Sequence, residues 1–298
     1  MRTADVLLSV MVGVIIISII CIWFFPSVQD FMLGNSFWNG LKVFCAEFKV
    51  NNLDSLNKLP TLPQGRVLLS IPYLPYSEEE LAGLLRFVVQ GGTLLLMDDY
   101  GYGNSILGYF GLQARFSGSP LLDPLFCYKN LWLPRITDFS AEVKESGIEV
   151  VTLNHATALT GVENSQVLAW SSSHSFLDFD ESESRSADEP LGPFPIAARI
   201  KYGKGRLALV ADPSIIINSM IKKDDNHEFI KFLIGENAKE TLIDRSHLGK
   251  SPLDKSKIRL ASAREILSRP FPLLGLVALI FIAVSRYVLK SEFTTPRH

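Results

Sequence analysis

Apolar positions recur along this chain on three different periods, and each period predicts a different element. Residues 6–25, VLLSVMVGVIIISIICIWFF, carry no charged side chain. A helix of about 20 apolar residues crosses about 30 Å of hydrocarbon, so the run predicts a membrane anchor. No small-x-small cleavage site follows at Pro26, Ser27 and Val28, which favours a retained anchor over a cleaved signal. A second run, FPLLGLVALIFIAVSRYVL (residues 271–289), has the single charge Arg286, close enough to its end to snorkel. It predicts a C-terminal span over residues 270–290. Neither run carries Asp, Glu or Lys, so a transport pathway within the membrane has no support.

Between these runs the periods shorten. Residues 41–50 alternate loosely and suit a strand, and 51–65 form a loop with Pro60 and Pro63. RVLLSIP (66–72) is the kind of short apolar run found in strands buried on both faces. In SEEELAGLLRFVVQGG, Ser77 is an N-cap, Glu78–Glu80 favour the first turn, and Ser77 with Glu80 offers a capping box. Leu81, Leu84, Leu85 and Val88 make one apolar stripe, and Gly91-Gly92 stops the helix. TLLLMDD (93–99) is the next buried strand. Strand, helix and strand within about 35 residues predict a βαβ unit on a parallel sheet.

Further on, residues 148–153 and 166–172 read as strands, and residues 195–212 as a hairpin turning over 201–205. Residues 225–236 read as a helix with Phe229, Phe232 and Leu233 inward. Residues 112–150 show no clear period, and the acidic, Ser-rich stretch of 176–195 reads as a solvated loop. A basic stretch over 239–269 includes a candidate helix with Leu260, Ala263 and Leu267 on one face, suited to anionic headgroups or to a plain stalk. The expected organisation is an N-terminal anchor (1–26), an α/β domain (27–238), a basic juxtamembrane linker (239–269), a second span (270–290) and a tail (291–298).

Composition changes this picture little. The chain has 298 residues, 47% of them hydrophobic, and a net charge of -2, which argues against a general nucleic-acid binder. Mean hydropathy is +0.21, and the two terminal runs account for the excess. Arg2 precedes the first span, whereas Lys250, Lys255, Lys257, Arg259, Arg264 and Arg269 precede the second. The first helix usually dominates topology, so the expectation is a multi-pass cell-membrane protein with both termini cytoplasmic and the middle domain outside. The three cysteines, Cys21, Cys45 and Cys127, show no CxxC spacing. Two unpaired, half-buried thiols are favoured over a Cys45–Cys127 pair.

Ligands of open parallel sheets bind at the carboxyl ends of the strands, and two polar clusters fall there. The first is Asp98, Asp99, Tyr100, Gly101, Gly103 and Asn104; the second is Asp212, Ser214, Asn218, Asp225 and Asn226. These residues are the candidate ligand contacts. Aspartate and asparagine oxygens also suit Mg²⁺ or Ca²⁺, but capping of backbone N–H groups is the favoured reading, with Asp225 capping its helix. No metal or cofactor is assigned. Gly101 and Gly103 lack the Lys-Ser/Thr of a P-loop and the third glycine of a dinucleotide fingerprint. No Cys or Ser stands on the elbow after residues 93–97, and His155, His174, His227 and His247 have no recognisable partner pattern. No catalytic residue is assigned.

The runs LPYSEEELAGLLRFVVQGGTLLLMDDYGYGNSIL and GPFPIAARIKYGKGRLALVADPSIIINSMIKKDDNHEFIKFL resemble the membrane family called domain of unknown function 4350. The shared pattern is Gly91-Gly92, the acidic turn 98–104, the turn 202–205, Asp212–Ser214, Asn218 and Asp225-Asn226. The resemblance implies an α/β fold, a flavodoxin-like (class I glutamine amidotransferase-like) sandwich with a mostly parallel sheet, here flanked by one transmembrane helix at each end. Such amidotransferases carry a Cys on the elbow after a central strand and a late His-Glu pair, and this chain has neither at the matching places. The resemblance also implies protein partners in a membrane-bound assembly, including an AAA-type ATPase system. Two functional readings stand. One is a non-catalytic binding or scaffold module; the other is a metal-assisted hydrolase using Asp98, Asp99, Asp212 and Asp225 with a bound water as nucleophile.

Overall fold

The apolar runs at residues 66–72 and 93–99 lie side by side at the centre of one mixed sheet. The structure is a computed structural model that describes residues 3–25, 27–249, 251–275, 277, 278, 281, 282 and 285. In chain order the strands of this sheet are β1 (Asn51–Leu53), β2 (Arg66–Ser70), β3 (Thr93–Met97), β4 (Asp138–Phe139), β5 (Val167–Trp170), β6 (Pro195–Tyr202), β7 (Gly205–Val210) and β8 (Glu240–Asp244). Their order across the sheet is β1-β8-β2-β3-β7-β6-β5-β4. The first five are mutually parallel, and β6, β5 and β4 continue antiparallel. Every residue of β3 is buried. Leu94, Leu95 and Leu96 are fully enclosed, and cutting one back to alanine costs about 2–5 kcal/mol.

Helix α3 (Glu78–Val89) joins β2 to β3 as the sequence predicts, with the Ser77–Glu80 capping box formed at both of its bonds. β6 and β7 make the expected hairpin, closed by Tyr202 opposite Gly205. A Cβ on Gly205 would lie 2.1 Å from the Gly92 carbonyl oxygen, so only glycine lets β7 start against the end of α3. Helix α5 (Asn226–Ile234) buries Phe229 and Leu233, while Phe232 is half-buried beneath the Arg199 guanidinium.

Three expectations need correction. Residues 41–50 form helix α2 (Lys42–Glu47), not a strand. Leu41, Phe44 and Phe48 lie three and four apart, and the first two are fully buried, so the helical period decides. Glu240–Asp244, expected as linker, is a strand inserted between β1 and β2. In chain order the parallel block is therefore 1-5-2-3-4, which departs from the 2-1-3-4-5 of flavodoxin-like sheets. The structure is an α/β fold with a mixed sheet.

The third correction concerns the membrane. The chain divides into two units, one of residues 28–249 and one of residues 1–27 with 250–298. In the second unit, α1 (Thr3–Phe24) and α6 (Pro252–Leu267) are its long helices. Ile19 and Trp23 share a groove with Leu260, Ala263, Arg264 and Leu267. The Arg264 guanidinium lies 5.7 Å from the Trp23 ring, and Lys257 Nζ donates to the Phe25 carbonyl. A helix carrying Lys255, Lys257, Arg259 and Arg264 does not belong in hydrocarbon. Residues 6–18 alone give about 20 Å of helix, short of the roughly 30 Å required. The second expected span, 270–290, lies partly outside the described residues. Among the described residues no helix is long and apolar enough to cross a membrane. That finding overturns the two transmembrane helices and the multi-pass cell-membrane arrangement with cytoplasmic termini.

Candidate functional site

The parallel strands end on one edge, and three of them end on a buried aspartate: Asp98 after β3, Asp212 after β7 and Asp244 closing β8. Asp98 cradles the turn that follows it. Its Oδ1 accepts from the N–H groups of Tyr100 (2.9 Å) and Gly101 (3.1 Å), and its Oδ2 from Gly103 (2.6 Å). Gly101 has φ +84, a conformation that disfavours any residue with a Cβ. Asn104, at the start of α4 (Asn104–Tyr109), clamps Phe116 both ways, accepting from its N–H at 2.8 Å and donating to its carbonyl at 2.9 Å. Burial pushes the Asp98 carboxyl above its usual range, against the pull of these N–H bonds.

Asp212 is fully buried and caps the short 3-10 turn Pro213–Ile216, accepting from Ser214 N–H at 2.7 Å, while its other oxygen accepts from Asn154 N–H at 2.7 Å. Burial raises its carboxyl well above the ordinary value. Asn218 fastens the segment before α2: its Oδ1 accepts from Val43 N–H (2.8 Å), and its Nδ2 donates to the carbonyls of Asn35 (2.9 Å) and Phe37 (2.6 Å). Asp225 does not cap α5 with its side chain. Its Oδ2 instead accepts from Glu149 and Val150 N–H. Asn226 is fully buried and pairs both ways with Thr152 while donating to Met220. Six of the predicted contacts thus hold backbone with their side chains, Asp98, Asn104, Asp212, Asn218, Asp225 and Asn226, and Gly101 and Gly103 are part of the backbone that Asp98 holds.

The other three, Asp99, Tyr100 and Ser214, line a cleft of about 170 Å³ at this edge. Asp30, Phe31, Trp38 and Tyr73 add acidic and aromatic lining, and Asn154 and His155 line it too. Ring centroids of Tyr73 lie 5.9 Å from Phe31, 6.3 Å from Tyr100 and 6.4 Å from Tyr102, and Tyr100 lies 5.8 Å from Tyr102. Asp99 is half-buried, and no cationic side chain among the described residues pairs with it. Burial, with the neighbouring Asp98 charge behind it, pushes its carboxyl up to about 7. Burial also raises the Tyr73 hydroxyl, reinforced by Asp99. His155 adopts φ 59 and stacks on Trp132 at 4.6 Å, and burial lowers its pKa.

Sequence reasoning misses Asp30, Phe31, Trp38 and Tyr73, which come from two segments outside the quoted clusters. It also misses a buried network after β8. Asp244 Oδ2 lies 2.7 Å from His247 Nδ1, and His247 Nε2 lies 3.5 Å from Glu80. Tyr76 stacks on the imidazole at 3.8 Å, with its hydroxyl 2.7 Å from Ser70 Oγ. The Asp-x-x-His spacing at a strand exit is the available signal. This network braces the start of α3, since the His247 carbonyl also takes the Tyr73 N–H.

All three cysteines are free thiols. Burial pushes Cys45 up to about 11, which removes its thiolate at neutral pH. Among the described residues the one trio of acidic groups close enough to share a cation is Asp178, Asp180 and Glu189. Its oxygens already accept from Phe179, Ser182, Glu183 and Ser186.

Fold and site together define an α/β domain whose strand ends carry backbone-holding carboxylates around a small aromatic and acidic cleft. The chain belongs to the family described as Domain of unknown function (DUF4350), whose model matches residues 45–234. No curated protein sequence matches it. Among solved structures it is similar to "mmIFT52 N-terminal domain", at 15% identity and TM-score 0.48, over 65% of this chain and 88% of that one. It is also similar to the beta-galactosidase from Bacillus circulans sp. alkalophilus, at 14% identity and TM-score 0.33, over 55% of this chain and 22% of that one. Gan42B, a GH42 beta-galactosidase, matches at 16% identity and TM-score 0.30, over 56% of this chain and 21% of that one. The chain spans about a fifth of either galactosidase.

Proposed function

We propose that this chain is a non-catalytic recognition module, a binding component of a larger assembly, whose carboxyl-edge cleft takes an organic cation such as an alkylammonium group of a partner. The observation that carries this reading is Asp99, a half-buried carboxylate with no cationic partner, set beside the rings of Tyr73 and Tyr100. A carboxylate supplies charge to an ammonium, and aromatic faces attract it through their quadrupoles. A cleft of about 170 Å³ suits a headgroup rather than a whole drug-sized ligand. The elbow after β3 presents Asp98 and Asp99 and no thiol, and burial holds Cys45 protonated, which suits a module without nucleophilic catalysis. An AAA-type ATPase system belongs to the same proposal as a candidate partner. The hydrolase reading lacks support, because Asp98 and Asp212 spend both oxygens on N–H groups and Asp225 spends one.

The test is a titration of the full chain with tetramethylammonium, followed by tryptophan emission, since Trp38 lines the cleft. A saturable change that Asp99→Asn abolishes is expected. No change up to high millimolar concentration would refute the proposal.

A further inference from the structure

The opposite, amino-terminal edge of the sheet holds a second and larger cavity system that the cleft does not explain. A cavity of about 560 Å³ and another of about 470 Å³ share Arg199, Arg206, Gly235, Glu236 and Asn237 in their walls. Lys201 and Lys204 add to the first, whose one acidic residue is Glu236. The cations are placed there by register. Lys201 faces Arg206 directly across the β6–β7 ladder, and Arg199 lies two residues before Lys201 and so on the same side of the sheet. Like charges directly opposite on a ladder are destabilising. Glu142 pairs with Arg199 at 2.7 Å, and its charge reaches Arg206 without forming an ion pair there. Arg206 has a long contact to the Ile234 carbonyl at 3.4 Å and no carboxylate. The Nε atoms of Arg199 and Arg206 are both buried without a hydrogen-bond partner. Closed off from solvent, these Nε–H groups leave the remaining guanidinium N–H groups and the lysine ammonium groups to meet an entering anion.

We propose that this edge is a binding site for a phosphate monoester of a small organic molecule. A dianionic phosphate matches the three cations that form no ion pair with a carboxylate among the described residues, Lys201, Lys204 and Arg206, and guanidinium forks suit its oxygens. The floor of the larger cavity is apolar, with Val67, Ile234 and Ala238, and its size fits an organic body beside the charged group. Burial, and then the Arg199 charge, lower the pKa of Arg206, as expected of a guanidinium waiting for an anion.

Calorimetric titration of the full chain with adenosine monophosphate, inorganic phosphate and adenosine tests this. Adenosine monophosphate should bind saturably, inorganic phosphate more weakly, and adenosine not at all. Exposed Lys201→Ala should weaken adenosine monophosphate by about tenfold, and Arg206→Gln by more, while the unliganded unfolding midpoint of either variant stays level or rises. Absence of binding by both phosphate compounds at low millimolar concentration would overturn the proposal. So would adenosine binding as well as its monophosphate, or affinity unmoved in both variants. None of these outcomes bears on the cleft at the other edge, where tetramethylammonium is the probe.

Discussion

Asp99→Asn should make this protein more stable at pH 8 and leave it unchanged at pH 4. Burial, and then the Asp98 charge, push the Asp99 carboxyl from its ordinary 3.8 up to about 7 in the folded state. A folded-state pKa raised above the unfolded value contributes stability that is fully present below the unfolded pKa and is lost as pH rises through the folded one. The gap between 3.8 and about 7 corresponds to at most about 4 kcal/mol. Solvent reaching the half-open cleft reduces this to about 2 kcal/mol. The substituted amide is neutral throughout and keeps the shape. Urea unfolding at a series of pH values, followed by tryptophan emission, should show wild type losing stability across about pH 4–7 more steeply than the variant. Asp98 and Asp212 are raised in the same direction, so a residual slope of the same sign persists in the variant. If Asp99→Asn proved less stable than wild type at pH 8, the reasoning would be refuted, because the carboxylate would then have a stabilising partner.

Two further outcomes follow from the same geometry. Asn218→Ala removes three hydrogen bonds to residues 35–43 and should lower stability by about 2 kcal/mol, with an altered Trp38 emission. Cys45, pushed up to about 11, should react with iodoacetamide at pH 8 about a hundredfold more slowly than a free thiol, and reach the ordinary rate only in denaturant.

The elements legible in the sequence are those whose cause is local. Ser77 and Glu80 cap α3 three residues apart, Tyr202–Gly205 closes the hairpin, and Asp212 precedes Pro213 at a strand exit. All of these depend on neighbours along the chain. Glu240–Asp244 is hidden because its partners, β1 and β2, lie more than a hundred residues away, and five residues flanked by charged neighbours are too few to set a clear period. Residues 41–50 mislead because a short helix with buried Leu41 and Phe44 also looks like a loose alternation. At the site, the aspartates at strand ends stand out by type, but their partners do not: Asp212 is satisfied by Asn154, and Asp225 by residues 149 and 150. Trp38 and Tyr73 meet Asp99 only through the sheet, so no spacing pattern announces the cleft. The N-terminal apolar run shows the opposite error, where composition predicts a span that the basic face of α6 beside Trp23 does not allow.

The central claim is that Asp99 is an unpaired carboxylate held ready for a cation. Calorimetry of tetramethylammonium binding near pH 6.5, in two buffers of different ionisation enthalpy, reads this directly. Binding to an ionised Asp99 should release a substantial fraction of one proton per cation, and Asp99→Asn should abolish both the binding and the release. Binding with no proton release, or binding that survives in the variant, would contradict the account.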